Sequence, residues 1–254
     1  MSRELTQTFE ELWSDFRRRW CDNHDLAGAQ AFSHDLVNIV FFHRVVNVRV
    51  NDSEVDRLID DAIQLYREKG FDCVFTLSPL DQPSHLGQRL VERGFTEGVL
   101  ASAMVYAAPP VPPQLDSAAE VELSEESEYD TWAEVMCRSF DHPQTMAAAG
   151  RSASLALEVR RYLARVNGVP AGTTLLCSKF GMGYIDLVGT LPQYRHQGIA
   201  SALVNQAVTD SQSLGNRWTT LEATTGSDAE RLYEKFGFST AYHRQRYSMS
   251  RELL

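Results

Sequence analysis

GMGYIDLVGTLPQYRHQGIASALVNQAV, residues 181–208, divides into three pieces. Tyr184 to Leu191 is apolar and partly β-branched, the composition of a buried strand. Pro192-Gln193-Tyr194-Arg195-His196-Gln197 is a short polar turn. After Gly198, the apolar residues Ile199, Leu203, Val204 and Ala207 recur at helical spacing, so a helix opens there. A strand, a tight turn and a helix N-terminus in that order build an anion site. The first helical turn has backbone N–H groups without intrahelical partners, and the macrodipole adds partial positive charge. Gly198 lets a ligand approach the backbone, Ala200 and Ser201 keep the first turn uncrowded, and Arg195 adds a fixed charge at the mouth. An ordinary strand–loop–helix connection with an exposed arginine would show the same local pattern.

Arg195-His196-Gln197-Gly198-Ile199-Ala200 resembles the (Q/R)-x-x-G-x-(G/A) pyrophosphate loop of the GNAT superfamily of acetyl-CoA-dependent N-acetyltransferases. Thr190-Leu191-Pro192-Gln193-Tyr194-Arg195 is similar to that family's V-x-P-x-Y-R lead-in. Leu232-Tyr233-Glu234-Lys235-Phe236-Gly237-Phe238 resembles its second signature, L-Y-E-K-x-G-F. The motifs stand in the family's order with one strand between them, and the match covers about the last half of the chain.

The 254 residues suffice for one large or two medium domains. A net charge of −10 argues against nucleic acid or an anionic membrane as partner; it permits a cationic amine, although solubility alone explains it. Cys21, Cys73, Cys137 and Cys177 are scattered and form no C-x-x-C pair, which reads as reduced thiols, not a disulfide framework or zinc site. His43, His85, His142 and His243 show no ligand spacing, so no metal is expected. The first residues lack the apolar core of a signal peptide and no run is long enough to span a bilayer, which makes the cytoplasm the default.

Leu5, Phe9, Leu12, Trp13, Phe16 and Trp20 recur at three and four, an amphipathic helix expected to pack on the domain that follows. Val37 to Val50 is β-branched and aromatic, a strand or pair of strands. Asn51-Asp52-Ser53 caps a helix from Glu54 to about Lys69, stopped by Gly70. A strand at Cys73 to Leu77, a short helix through Leu90 and a strand through Met104 to Tyr106 follow. This order resembles the C-terminal half. Val74 to Leu77 aligns with Trp218 to Leu221, Leu90 to Phe95 with Leu232 to Phe238 less one residue, and Met104 with Met249. Leu65-Tyr66-Arg67-Glu68-Lys69-Gly70-Phe71 also resembles the second signature, but precedes the strand instead of following it. The N-terminal copy carries Asp52, Glu54 and Asp56 where the anion loop would align, and acidic groups repel a pyrophosphate. This half is expected to support the other and wall the substrate cleft, not to bind the cofactor.

The proline-rich stretch 107–117 reads as an extended linker. The expected organisation is a degenerate GNAT-like domain over 1–108, a linker over 109–118 and a catalytic GNAT domain over 119–254. Within the last, a strand at Val121 to Leu123, a helix from Glu125 to about Phe140 and another from Thr145 to Leu157 lead in. A hairpin turns at Asn167-Gly168, followed by the 184–191 strand, the Gly198 helix, a strand at Trp218 to Ala223, a helix capped by Ser227, and a last strand to Met249. The expected fold is α/β with a mixed sheet: the acyl-CoA N-acyltransferase (GNAT) fold, twice in tandem.

The resemblance implies direct acetyl transfer from acetyl-CoA to the primary amine of a small molecule or peptide. It places the pyrophosphate on the backbone of Arg195, His196, Gln197, Gly198, Ile199, Ala200 and Ser201, and the pantetheine arm on Val188, Gly189 and Thr190. It makes Tyr233 the acid that protonates the departing thiolate, with a packed aromatic as its plain alternative. An amine with a pKa of about 10.4 must lose a proton first, and Glu222 and Asp186 are the candidate bases. Each could equally serve a structural ion pair; Glu222 is slightly favoured. Where many members have a cofactor-contacting asparagine, this chain has Gly226 or Ser227. Rival readings are a non-catalytic CoA-binding sensor and a transferase for a longer acyl chain. A monomer and a homodimer both remain open, since the repeat can replace a dimer by internal pairing.

Overall fold

Helix α1 (Arg3–Arg17) leads the chain. It is followed by β1 (Asp22–Asp25), β2 (Gln30–Ser33), β3 (Arg44–Val46), α2 (Val55–Lys69), β4 (Cys73–Leu77), α3 (Leu86–Glu92) and β5 (Thr96–Tyr106). After residue 118 come β6 (Ala119–Leu123), α4 (Tyr129–Ser139), α5 (Thr145–Ser154), β7 (Val159–Val166), β8 (Val169–Lys179) and β9 (Met182–Thr190). Then α6 (Ile199–Ser213), β10 (Trp218–Thr224), α7 (Asp228–Lys235) and β11 (Phe238–Met249) complete it. This computed structural model describes residues 2–35, 37–107 and 119–254. The linker expected at 109–118 lies outside the described residues.

The local signals act as expected. Asn51 and Glu54 form a reciprocal capping box ahead of α2, and Gly70 ends that helix at φ +70°. Asn167 and Gly168, at φ +50° and +77°, join β7 to β8 in a two-residue turn, because positive φ at both positions matches the strand twist. The Oγ of Ser227 accepts the Glu230 N–H at 3.1 Å to open α7.

Between Val37 and Val50 only Arg44–Val46 is a strand, which corrects the longer one expected. His43 Nε2 bonds the Val37 carbonyl at 2.7 Å and Arg44 Nε donates to the Val40 carbonyl at 3.0 Å, winding that stretch into a loop. Phe41 and Phe42 pack on Trp20 from this loop. Phe42 is buried and Phe41 partly buried without the ladder that their type suggests. The polar hairpin β1–β2 carries no such pattern and was not expected.

Among the described residues, eleven strands form one sheet in the order β1-β2-β3-β4-β11-β5-β10-β9-β8-β7-β6. The pairs β3–β4 and β9–β10 are parallel; every other neighbour is antiparallel. The succession β3-α2-β4-α3-β5 is repeated by β9-α6-β10-α7-β11. The closing strands are exchanged: β11 lies against β4, β5 lies against β10, and the two pair with each other at the centre. Helix α1 crosses between the halves, its Phe9 edge-on to Tyr184 and Tyr242 and its Trp13 against Phe32.

Candidate active site

Strands β9 and β10 pair from Met182 opposite Trp218 to Ile185 opposite Leu221 and then part. Both run on, β9 to Thr190 along β8 and β10 to Thr224 along β5. A wedge opens between them, and past Ile185 the inner edge of β9 has no ladder partner among the described residues. At its apex β9 bulges: two steps along β8, Thr173 to Leu175, match three along β9, and Leu187 takes φ +53°. A branched residue in that region is strained and held there by its surroundings. The Leu187 N–H donates to its neighbour Asp186 Oδ1 at 2.8 Å.

Beyond β9 the loop passes through His196 at φ +62° and Gly198 at φ +76° into α6. Among the described residues, the backbone N–H groups of His196 to Ser201 have no hydrogen-bond acceptor. Six donors in a row at a helix start form a cradle for an anion. Arg195 ties the loop down, donating from Nη2 to the Ser139 carbonyl at 3.2 Å and from Nε to the Thr190 carbonyl at 3.4 Å. A cleft of about 440 Å³ lies over the cradle, bounded by Thr190, Arg195, His196, Ala200 and Ser201 and, from α7, Asp228 and Leu232. The charge of Asp228 is engaged by Arg231.

The corresponding place in the first half is filled by the chain itself. Strands β3 and β4 pair at Val45 and Phe75, and Asn47 then takes φ +55°, the counterpart of Leu187. The segment 78–82 occupies the gap. The Asp81 carboxylate accepts the N–H groups of Val48 and Ser78, Gln82 donates to the Val48 carbonyl at 2.9 Å, and Val50 donates back at 3.4 Å. At the start of α2 the Asn51 N–H is taken by Glu54 Oε2 at 2.8 Å. The groups that stay open in the second half are met internally in the first.

A model of the acetyltransferase (GNAT) family matches residues 122–238. That segment is a GNAT domain. The whole chain shares its fold with a GCN5-related N-acetyltransferase from Kribbella flavida, at a TM-score of 0.72 and 16% identity over 95% of this chain and 94% of that one. A GCN5-related N-acetyltransferase from Sphaerobacter thermophilus matches with a TM-score of 0.63 and 19% identity over 88% and 77%. A tandem GNAT protein from the clavulanic acid biosynthesis pathway, solved without AcCoA, matches with a TM-score of 0.62 and 12% identity over 88% and 78%. At these identities the likeness speaks for the fold. No curated protein matches the chain in sequence.

The GNAT domain brings Tyr233, Asp186 and Glu222 to the wedge, each with different surroundings. Tyr233, on α7, is 6% exposed, and its hydroxyl has no hydrogen-bond partner among the described residues. Burial, with the Asp186 charge adding to it, raises its pKa and keeps it protonated. Both oxygens of Asp186 are engaged: Arg17 Nη2 of α1 donates to Oδ2 at 2.9 Å, and Oδ1 holds the Leu187 N–H. Asp186 thus has the partner that an acid inside a strand requires. Glu222 Oε2 accepts from Arg244 Nη1, while Oε1 lies 4.0 Å from Arg44 Nη1. Burial pushes the Glu222 carboxyl up, but Arg244, Arg44 and Arg17 outweigh it and hold it below the ordinary carboxylate range.

Sequence reasoning missed the arginines. Arg17, Arg44 and Arg244 surround the Trp13 ring, with guanidinium carbons 4.8, 5.4 and 4.2 Å from its centroid. Arg244 also pairs with Glu10 at 3.2 Å, and the Tyr242 hydroxyl donates to Glu10 at 2.7 Å. One signal was available: Arg17 lies on the buried stripe of α1, four residues after Trp13, where a cation needs a partner. The Ser227 hydroxyl is spent on its helix cap, as its sequence position suggests. Among the described residues no group of histidine, cysteine and acidic side chains is arranged to hold a metal, and no helix is long and apolar enough to cross a membrane.

Proposed function

We propose that the chain is an N-acetyltransferase that moves an acetyl group from acetyl-CoA to a primary amine by direct attack. The observation that carries this reading is the run of six unpartnered N–H groups from His196 to Ser201 beside the open β9–β10 wedge. The cradle takes the pyrophosphate, and the free edge of β9 at Val188, Gly189 and Thr190 takes the amide-bearing pantetheine arm. Acetyl-CoA supplies the activated acyl group. One N–H past the Leu187 bulge donates to the acyl oxygen as charge develops on it.

Glu222 accepts the amine proton at Oε1, which has no hydrogen bond among the described residues, whereas both oxygens of Asp186 are committed. Asp186 fixes the bulge and ties it to α1. Tyr233 donates its hydroxyl proton to sulfur as the carbon–sulfur bond breaks, and solvent restores it. The halves divide the labour: residues 119–254 bind and react, while 1–108 supply α1, Arg44 and the walls of the acceptor side. The reaction needs no metal, and the four free cysteines fit the cytoplasm.

The test combines calorimetry with acetyl-CoA and release of free thiol when a library of amines is offered. Micromolar binding with amine-dependent thiol release supports the reading. Binding without release from any amine leaves a CoA sensor in its place, and a preference for longer acyl-CoA moves it to another acyl group. Absence of binding overturns it.

A further inference from the structure

Four arginines and three carboxylates gather on the α1 side of the wedge. Arg17 comes from α1, Arg44 from β3, and Arg244 and Arg246 from β11; Glu10, Asp186 and Glu222 oppose them. Asp81 also acts on Glu10, but it is held by Arg49. Tyr184 and Tyr242 face the cluster as neutral phenols, held protonated by burial. One cation is in excess, and Arg246 is the one left over. It stands two residues after Arg244, and so on the same face of the strand. Its guanidinium has no ion pair or hydrogen bond among the described residues, and Nε is buried. The side chain is only half-hidden, so it is open to a ligand. Arg17, 3% exposed, likewise leaves Nε and Nη1 without partners. Burial also pushes the Arg44 guanidinium down to about 9, more than Glu222 restores, so a further negative charge here would be welcomed.

Resting on the acetyltransferase reading, we propose that the amine acceptor carries a carboxylate, which Arg246 binds beside the Glu222–Arg244 pair while the amine faces the wedge. Alternate residues of a strand stand about 7 Å apart, which suits an amino acid or a small aminocarboxylate. The binding is charge-assisted and uses the planar fork of arginine.

The test uses the full chain and a panel of amino acids and ω-amino acids, each paired with its amide. Acetyl-CoA binding is first established by calorimetry. Thiol release then gives kcat/KM for each acid and amide, and calorimetry measures binding of each acid to the CoA-saturated protein. The expected result is a preference of about 10- to 100-fold for the acids. Arg246→Met should remove that preference through KM, with weaker binding of the acid, and Arg246→Lys should restore part of it. Equal use of acid and amide, or an Arg246→Met loss shared equally by both, overturns the proposal. So does acetyl-CoA binding with neither reaction nor binding of any acid, which leaves the cofactor reading standing. Failure to bind acetyl-CoA removes the reading beneath it.

Discussion

Met104 and Met249 occupy matching ends of the two closing strands, and each is buried in the core of the other half. Met104, on β5, packs with Leu203, Leu221 and Tyr233; Met249, on β11, packs with Leu58, Phe75 and Leu90. The strands begin at home, with Phe95 in the first core and Phe238 in the second. They then cross, paired to each other over Thr96–Tyr106 and Phe238–Met249. Separating the halves would strip both cores of a wall.

The chain should therefore unfold as one unit. Met104→Ala, at a site with no exposure, should cost about 2–5 kcal/mol and lower a single transition instead of splitting it. Thermal unfolding followed by both tryptophan fluorescence and far-ultraviolet circular dichroism checks this. Two resolved transitions would show that the halves are stable apart.

Gly198→Ala probes the cradle. At φ +76° an added Cβ costs about 1 kcal/mol, and the strain falls on the loop that carries the unpartnered N–H groups. The affinity for CoA should fall about tenfold or more while the far-ultraviolet spectrum is retained. Titration calorimetry measures it, and unchanged affinity would remove the loop from the binding site.

Much of this site was legible in the sequence because it is local. The 184–204 run holds its strand, turn and helix signals within one window, and Gly198 and Ser227 act through neighbours three or four residues away. The exchange of β5 and β11 was not legible, since an alternating strand reads the same whichever partner it meets. Nor was the arginine cluster. Arg17, Arg44, Asp186, Glu222 and Arg244 lie on five elements, and only the sheet order brings them together. The carboxylates were visible as candidates, but their partners decide their chemistry. Asp186 emerges with both oxygens hydrogen-bonded, to Arg17 and to the Leu187 N–H, whereas Glu222 has one oxygen on Arg244.

Tyr233→Phe should lower kcat by about 10²-fold with little change in acetyl-CoA affinity. The ring stays and keeps its packing 6.1 Å from Phe238; only the unpartnered hydroxyl is lost. Pre-steady-state thiol release together with calorimetry separates the two effects. A wild-type rate in the variant would leave Tyr233 as a packed aromatic.

Glu222 also ties stability to pH. Its folded pKa lies below the ordinary carboxylate value, so the folded state holds the ionised form more firmly than the unfolded chain does. That contribution is fully present above the unfolded pKa, about 4.3, and is lost as pH falls through the lower folded value. Glu222→Gln should thus be less stable than wild type at pH 7, and the gap should close on acidification below about pH 4. Thermal unfolding from pH 3 to 8 measures it. A gap constant across that range would mean that Arg244 does not hold Glu222 ionised.

The same low pKa shapes the rate profile. Glu222 is ionised throughout the neutral range, so the rise of kcat/KM with pH belongs to the acceptor's own ammonium, not to the carboxyl. An acceptor of lower amine pKa should carry the ascending limb down with it. Glu222→Gln should reduce kcat by about 10²-fold at every pH without moving that limb, because the variant loses the proton acceptor but not the titrating group. If the limb stays fixed while acceptors change, a protein group with a near-neutral pKa is the base. If the variant keeps the wild-type rate, proton removal falls to water, and Glu222 serves only to position Arg244 and Arg44.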